Sequence, residues 1–226
     1  MTRFPPRNKV PEFSVFAPLL RMVTKYDFSN VREYLFEDLK GAYPTKWEDF
    51  EAAKVLGEDV FGSTKPHPNA VLNLFVAENV RFAVPFAAYR ASLGGFLGLL
   101  SNEPGAVLPR HILASTVYGM GKSQSLMTQV ACALAHKQNL PACADGACVL
   151  NAGIVPTVER RAEALAKLYE VMVGEREGGV LSPPSFGDIA CAKCTREMEA
   201  LHAARRRIFW ELLPFIFLVA KDWDEV

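Results

Sequence analysis

The sequence has no excess of charge of either sign. Its 226 residues include 25 Lys and Arg and 25 Asp and Glu, so the overall charge does not favour binding to nucleic acid or to an anionic membrane. The first eleven residues lack the apolar core and the small-residue cleavage site of a secretory signal. The longest apolar stretch, residues 82–100, is interrupted by Pro85, Arg90 and two glycines, so it is not expected to span a membrane. We expect a soluble protein of the cytoplasm or nucleus.

The sequence also lacks the alternation of polar and apolar residues that is typical of a half-buried strand, and it contains no repeat of fixed period. Apolar residues recur instead at steps of three and four, as on one face of a helix. We therefore predict an all-α, irregular multi-helix fold of about 8–10 helices. The predicted helices cover residues 16–26, 29–41, 45–57, 69–79, 85–99, 109–137, 156–173 and 189–213.

Local signals predict where several of these helices begin and end. Ser29 is a predicted N-cap, because its hydroxyl could accept a bond from the first helical turn. Pro214 is expected to end the last helix. Gly119 and Gly121 are expected to break the long helix over residues 109–137.

The predicted domain organisation is simple. Residues 1–12 are expected to be a disordered N-terminal segment, and residues 13–226 a single helical domain. A weak subdivision is possible near residues 101–105, where Asn102 and Pro104 interrupt the helical pattern. Both sides of that point are equally apolar, so the two halves could share one core.

A Gly-Lys-Ser sequence at residues 121–123 is the ending of a phosphate-binding loop. Such a loop also needs a glycine five residues before its second glycine, so that backbone N–H groups can surround the phosphates. Thr116 occupies that position, and no buried strand precedes it. A nucleotide site is therefore not predicted here.

Residues suited to catalysis are sparse. The four histidines, His67, His111, His136 and His202, are far apart and form no helical metal-binding pair. No Gly-x-Ser-x-Gly sequence marks a nucleophile. The chain is predicted not to be an enzyme; a pocket assembled from His111, His136 and Asp145 is the catalytic alternative.

Three consecutive arginines, Arg205–Arg207, lie in the last predicted helix. Successive helical residues point in different directions, so the three cannot meet one phosphate groove. They are predicted to form a solvated or salt-bridged face, and a nucleic-acid-associated regulator is a less favoured alternative. An apolar segment follows them and must be covered by the domain itself or by a partner. Its members are Trp210, Leu212, Leu213, Phe215, Phe217 and Leu218.

Cysteine is scarce, and four of the five fall into two close pairs. Cys143 and Cys148 are separated from Cys191 and Cys194 by forty-two residues. Four thiolates from two such pairs can complete a tetrahedron around a structural Zn²⁺. Alternatively, the cysteines are small buried apolar residues. A redox dithiol at Cys191 and Cys194 is disfavoured, because that chemistry normally follows a strand.

Four segments of the chain resemble a known pattern. Residues 19–27 (LLRMVTKYD) are similar to an LLRLAxKY helix, and residues 43–47 (YPTKW) to a (F/Y)PxT…W turn. Residues 74–80 (LFVAENV) and 84–90 (VPFAAYR) resemble an LAREx…LPxALY helix pair.

The fourth and most specific segment is C-terminal. The Cys191-Ala-Lys-Cys194 sequence continues through Arg205 to residues 210–214 (WELLP), as in a CxxC…R…W..LP pattern. Residues 217–225 resemble FxLPxWxEL without its proline. Together these segments resemble the helical region that follows the BTB/POZ domain in a large group of basidiomycete proteins.

This resemblance implies a non-enzymatic helical domain for protein–protein interaction, acting as an adaptor or regulator. About a dozen residues precede the first matching helix, whereas a BTB domain is about a hundred residues long. We therefore expect either a truncated BTB protein or a stand-alone helical relative. Paired cysteines belong to the family pattern, so the resemblance favours the structural zinc site at Cys143, Cys148, Cys191 and Cys194 over buried thiols.

Overall fold

Every regular element in the described part of the chain is helical. The computed structural model describes residues 10–53, 60–61, 65–135 and 190–226 with residues 166, 181 and 186, and it describes only the backbone of residues 130–135. The α-helices in these ranges are α1 (Phe13–Lys25), α2 (Ser29–Ala42), α3 (Trp47–Ala53), α4 (Pro68–Ala77), α5 (Val84–Leu93), α6 (Gly95–Leu99), α7 (Arg110–Ala135), α8 (Ala192–Glu211) and α9 (Leu213–Ile216). Short 3-10 helices cover Arg81–Ala83 and Trp223–Glu225. These ranges contain no strand, which confirms the all-α prediction.

The chain divides into two compact units. The first comprises Met1–Met120 and Leu213–Val226, and the second comprises Gly121–Leu212. Residues 101–105, the predicted weak subdivision, lie within the first unit. The single domain predicted for residues 13–226 stays a prediction. The predicted helix over residues 156–173 and most of the N-terminal segment 1–12 lie outside the described residues.

The core of the first unit is aromatic. Here α4 packs on α5, α1 on α2, and α9 returns to α5. The Tyr43 ring meets the Phe75 ring edge-on at 4.9 Å between centroids, and Phe86 lies 5.9 Å from Tyr43. The Phe217 ring packs edge-on against Tyr89 at 6.4 Å. These edge-to-face contacts suit the positive edge and negative face of each ring.

Burial of Tyr43 gives the core a measurable dependence on pH. Loss of hydration on burial raises the pKa of the Tyr43 phenol from 10.0 to about 12, and the nearby Arg90 charge opposes this rise. The unfolded chain therefore loses this proton at lower pH than the folded chain does. Through this residue, we expect the free energy of unfolding to fall by about 2 kcal/mol between pH 10 and pH 12.

Urea unfolding at pH 8, 10 and 12 of the parent protein and of Tyr43→Phe measures this contribution. The variant keeps the ring but has no phenol to ionise, so it should lose less stability above pH 10. Equal alkaline losses in the two proteins would contradict the assignment.

Glycine positions account for two differences from the predicted helices. The helix predicted to break at Gly119 and Gly121 is continuous as α7, so that prediction was wrong. The predicted helix over residues 85–99 is instead divided into α5 and α6, where Gly95 has a φ of +66°. A glycine allows a break but does not impose one, since packing around it decides which backbone conformation it adopts.

Two predicted helix boundaries were also wrong. Ser29 is the first helical residue, Phe28 precedes it as the N-cap, and the Ser29 hydroxyl donates to the Asp27 carbonyl at 3.4 Å. Pro214 does not end the last long helix, which stops at Glu211. Pro214 lies in the first turn of α9. The N–H groups of a first turn have no partner within the helix, so a proline at this position removes no helical hydrogen bond.

Candidate binding groove

A groove in the first unit brings together distant parts of the chain. It has a volume of about 430 Å³ and lies among α4, the Arg81–Ala83 turn, α5, the first half of α7 and residues 217–219. Its floor is buried and its rim is exposed. The floor includes Leu72, Phe75, Ala88, Thr116 and Phe217, and the rim includes Asn79, Arg81, His111 and Leu218.

The polar groups of the groove are few. The hydroxyls of Ser115 and Thr116 donate to the Ile112 carbonyl within α7, at 3.0 and 2.7 Å. The Arg81 guanidinium donates to the main-chain carbonyl of Glu225 at 3.1 Å. Neither Asp nor Glu is among the described residues that line the groove. The site is therefore an apolar surface with a cationic rim.

Two rim residues have a left-handed backbone. Asn79 has a φ of +55° and Leu218 a φ of +57°. Asparagine tolerates this region, whereas a left-handed conformation costs a residue such as leucine about 1–2 kcal/mol. The conformation of Leu218 is held by the turn after α9, because Phe217 donates its N–H to the Leu213 carbonyl and Val219 to the Pro214 carbonyl. The turn leaves the Leu218 side chain 60% exposed at the groove.

Gly119 allows the C-terminal segment to reach the groove. A Cβ atom at this position would overlap the Phe217 ring and lie 2.9 Å from its Cγ atom. Phe217 is buried against α7 at this point, and residues 218 and 219 follow it onto the rim. A glycine in a long helix was the sequence signal for this contact, but it was interpreted as a break.

Two asparagines on α4 fix the segment that leads into α7. The buried Asn69 amide donates to the carbonyls of Gly98, Leu99 and Ala106 at 3.1, 3.3 and 3.1 Å. One turn later, Asn73 donates to two further carbonyls of the same segment, both at 2.9 Å. These bonds tie α4 to the segment that leads into α7, and both helices line the groove. No short motif in the sequence indicated this role.

The predicted zinc ligands are described only in part. Cys191 is the N-cap of α8 and is half-buried, and Cys194 lies in the first turn and is buried. Cys143 and Cys148 lie outside the described residues. No group of three or more His, Cys, Asp or Glu able to hold a metal occurs among the residues that are described. The four-cysteine site stays a prediction.

Only one residue of the catalytic alternative is described, and that alternative stays untested. His111 lies on the groove rim, while His136 and Asp145 lie outside the described residues. His67 has a structural role, since its Nδ1 atom accepts the Asn69 N–H at the start of α4. His202 is buried near the Phe186 ring.

The three arginines of α8 have three different surroundings. The Arg206 side chain is buried, and its Nε donates to the Leu181 carbonyl at 2.8 Å. Arg207 pairs with Glu211 at 3.0 Å, and Arg205 is exposed. Because Arg206 is buried, the three arginines do not present a continuous basic surface.

The apolar segment after the arginines alternates between buried and exposed residues. Trp210, Leu213 and Phe217 are buried, as expected for core residues. Leu212, Phe215 and Leu218 are exposed by 44%, 55% and 60%. The segment is therefore covered on one side only, and Leu218 is the exposed member at the groove.

Comparisons of the chain with models of known protein families, with curated proteins and with solved structures found no match. None of the helices in the described ranges is both long enough and apolar enough to cross a membrane. The groove is therefore the feature of the described structure from which function is inferred.

Proposed function

We propose that this chain is a non-enzymatic helical protein-interaction domain, an adaptor or regulator, that binds an apolar segment of a partner protein in the groove. The observation that carries the proposal is Leu218, a large apolar side chain held exposed at the groove rim by a left-handed backbone. The resemblance to the helical region after fungal BTB domains supports the same class of function.

The left-handed backbone of Leu218 ends α9, because the Leu218 N–H donates to the Phe215 carbonyl and the Val219 N–H to the Pro214 carbonyl, as in a Schellman cap. The cap requires the backbone conformation but not the leucine side chain. A glycine would adopt the same φ without cost and would expose less apolar surface. The floor below Leu218 is apolar and buried. A partner side chain that entered there would contact the floor on one side and Leu218 on the other, and it would thereby be removed from water.

Replacing Leu218 by glycine separates stability from binding. We expect the free energy of unfolding to rise by about 1 kcal/mol, because the backbone strain is relieved. We expect affinity for groove-binding peptides to fall by about fivefold to tenfold, because an apolar contact is lost. Peptides selected from a random 12-residue phage library on the full chain provide the probe, and chemical unfolding measures the stability.

Leu97→Ser is the matched control. Leu97 is 85% exposed on α6 and does not line the groove, so its replacement should leave peptide affinity unchanged. If Leu97→Ser abolished binding and Leu218→Gly did not, the binding surface would be that of α6 and the groove proposal would fail.

We also propose that Cys143, Cys148, Cys191 and Cys194 hold one structural Zn²⁺. The support is the i, i+3 spacing of Cys191 and Cys194 at the start of α8, which places both residues near one helix end. Four thiolates would complete the coordination of the metal and leave no position for a catalytic water. Such a site would stabilise the fold and would not supply a reaction centre.

Metal analysis of protein expressed in zinc-containing medium tests this site. The parent chain should contain about one zinc per molecule, and Cys148→Ser or Cys191→Ser should lower that content severalfold. Cys132→Ser, which changes the fifth cysteine, should retain the metal. A parent chain that purifies without zinc would refute the proposal.

A further inference from the structure

We propose that the partner segment carries a carboxylate, and that this carboxylate pairs with the Arg81 guanidinium at the groove rim. The inference rests on the proposed function of the groove and adds the charge of its ligand. The partner would thus be an acidic, apolar peptide segment.

Arg81 is held in place before any ligand binds. Its Nη2 atom donates to the main-chain carbonyl of Glu225 at 3.1 Å, beside the C-terminal 3-10 helix. A guanidinium has five N–H donors in a planar fork, so this bond leaves several donors for a ligand. The bond to Glu225 also lowers the conformational entropy that Arg81 would lose on binding.

The other groups that line the groove do not compete with an anion for Arg81. Among its described lining residues, Arg81 is the only Lys or Arg, and none is Asp or Glu. The Ser115 and Thr116 hydroxyls donate their protons to the Ile112 carbonyl, so they do not compete with Arg81 for a carboxylate. Because Arg81 is exposed at the rim, the ion pair would remain in contact with water and would contribute modestly, while the apolar floor would hold the neighbouring side chains of the peptide.

A carboxylate fits this site better than a phosphate does. Phosphate groups on peptides are recognised by clusters of arginines, because their charge approaches two at neutral pH. The groove presents a single guanidinium with the exposed His111 imidazole elsewhere on its lining. One carboxylate matches one guanidinium in both charge and planar geometry.

The peptide library described above also tests this inference. Selected peptides should contain an Asp or Glu next to apolar residues. Affinity of a synthetic selected peptide should fall about twofold to fivefold in Arg81→Gln, because an ion pair at an exposed rim is lost. Arg81→Lys should retain part of the affinity. Arg110→Gln, which removes an exposed charge that does not line the groove, should change affinity less than twofold.

A double-mutant cycle isolates the ion pair. Changing the acidic residue of the peptide to its amide should weaken binding to the parent protein by the same factor as Arg81→Gln. The same change should have little effect on binding to Arg81→Gln itself. Thermal unfolding of each variant shows that the fold is retained.

Three outcomes decide between the proposals. Peptides that depend on Leu218 and whose carboxylate is coupled to Arg81 support both. Peptides that depend on Leu218 but lack an acidic residue, or that bind Arg81→Gln equally well, overturn the carboxylate inference and leave the proposed function standing. If no selected peptide depends on Leu218, both proposals are wrong.

Discussion

Replacing Asn69 by aspartate is expected to lower the free energy of unfolding by about 3 kcal/mol or more. The Asn69 side chain is 1% exposed, and its amide nitrogen donates to three main-chain carbonyls between residues 98 and 106. An aspartate would place carboxylate oxygens against three carbonyl oxygens. It would lose both N–H donors of the amide, which the three carbonyls share, and it would add repulsion in a buried setting.

Asn69→Ala and Asn73→Asp are the matched comparisons for this result. Alanine removes the donor without adding charge, so Asn69→Ala should cost about 1–3 kcal/mol. Asn73 makes its two bonds at the exposed edge of the same segment, so Asn73→Asp should cost less than Asn69→Asp. Urea unfolding measured by circular dichroism gives all three values. Equal losses for Asn69→Asp and Asn73→Asp would contradict the buried role of Asn69.

This prediction also concerns the groove. The segment fixed by Asn69 leads directly into α7, which supplies Ile112 and Thr116 to the lining. Asn69→Ala, if it folds, should therefore weaken peptide binding although Asn69 does not line the groove.

Two glycines of α7 should respond in opposite directions to alanine. Gly119→Ala would place a methyl group against the Phe217 ring, and overpacking of this kind costs about 1–3 kcal/mol. A Cβ atom at Gly121 would meet no atom within 4 Å. Gly121→Ala should therefore stabilise the helix by about 0.5–1 kcal/mol. The two positions are two residues apart in one helix, so helix propensity is matched.

A smaller side chain at position 217 tests the cause of the Gly119 effect. Phe217→Ala alone should cost about 3–5 kcal/mol, because it removes a buried ring. The Gly119→Ala substitution should then add little further loss, since the ring that it would contact is absent. Full additivity of the two losses would show that Gly119 is required for another reason.

The two glycine pairs show how far local sequence predicts this fold. Gly94–Gly95 and Gly119–Gly121 are both close glycine pairs in a helical pattern, yet only the first divides a helix. Helix-breaking tendency is a local property and is the same for both pairs. Gly119 lies where the ring of Phe217 packs on α7, a contact from almost a hundred residues away that the local sequence does not specify.

The arginines give a second example. Sequence alone indicated that Arg205, Arg206 and Arg207 point in different directions, because three consecutive residues cover most of a helical turn. It did not indicate that Arg206 is buried and donates to the Leu181 carbonyl. That contact joins residues 25 positions apart, and spacing within the helix carries no information about it.

Members of the groove were visible in the sequence only as separate residues. His111 was noted as a histidine, and Phe217 and Leu218 as parts of an apolar segment that must be covered. Arg81 and Asn79 were not singled out, because an isolated arginine or asparagine is ordinary on a protein surface. The left-handed conformation of Leu218 could not be predicted, since leucine rarely adopts it.

By itself, the sequence determined that this protein is all-α, and it predicted the approximate positions of the helices that the structure describes. Apolar residues at steps of three and four lie on one face of a helix, and this pattern can be recognised in each segment without reference to the others. Only the tertiary structure decided that residues near 72, 81, 111 and 218 form one groove with an apolar floor and a cationic rim. Burial, side-chain approach and backbone strain depend on atoms distant in the chain, and no local pattern specifies them.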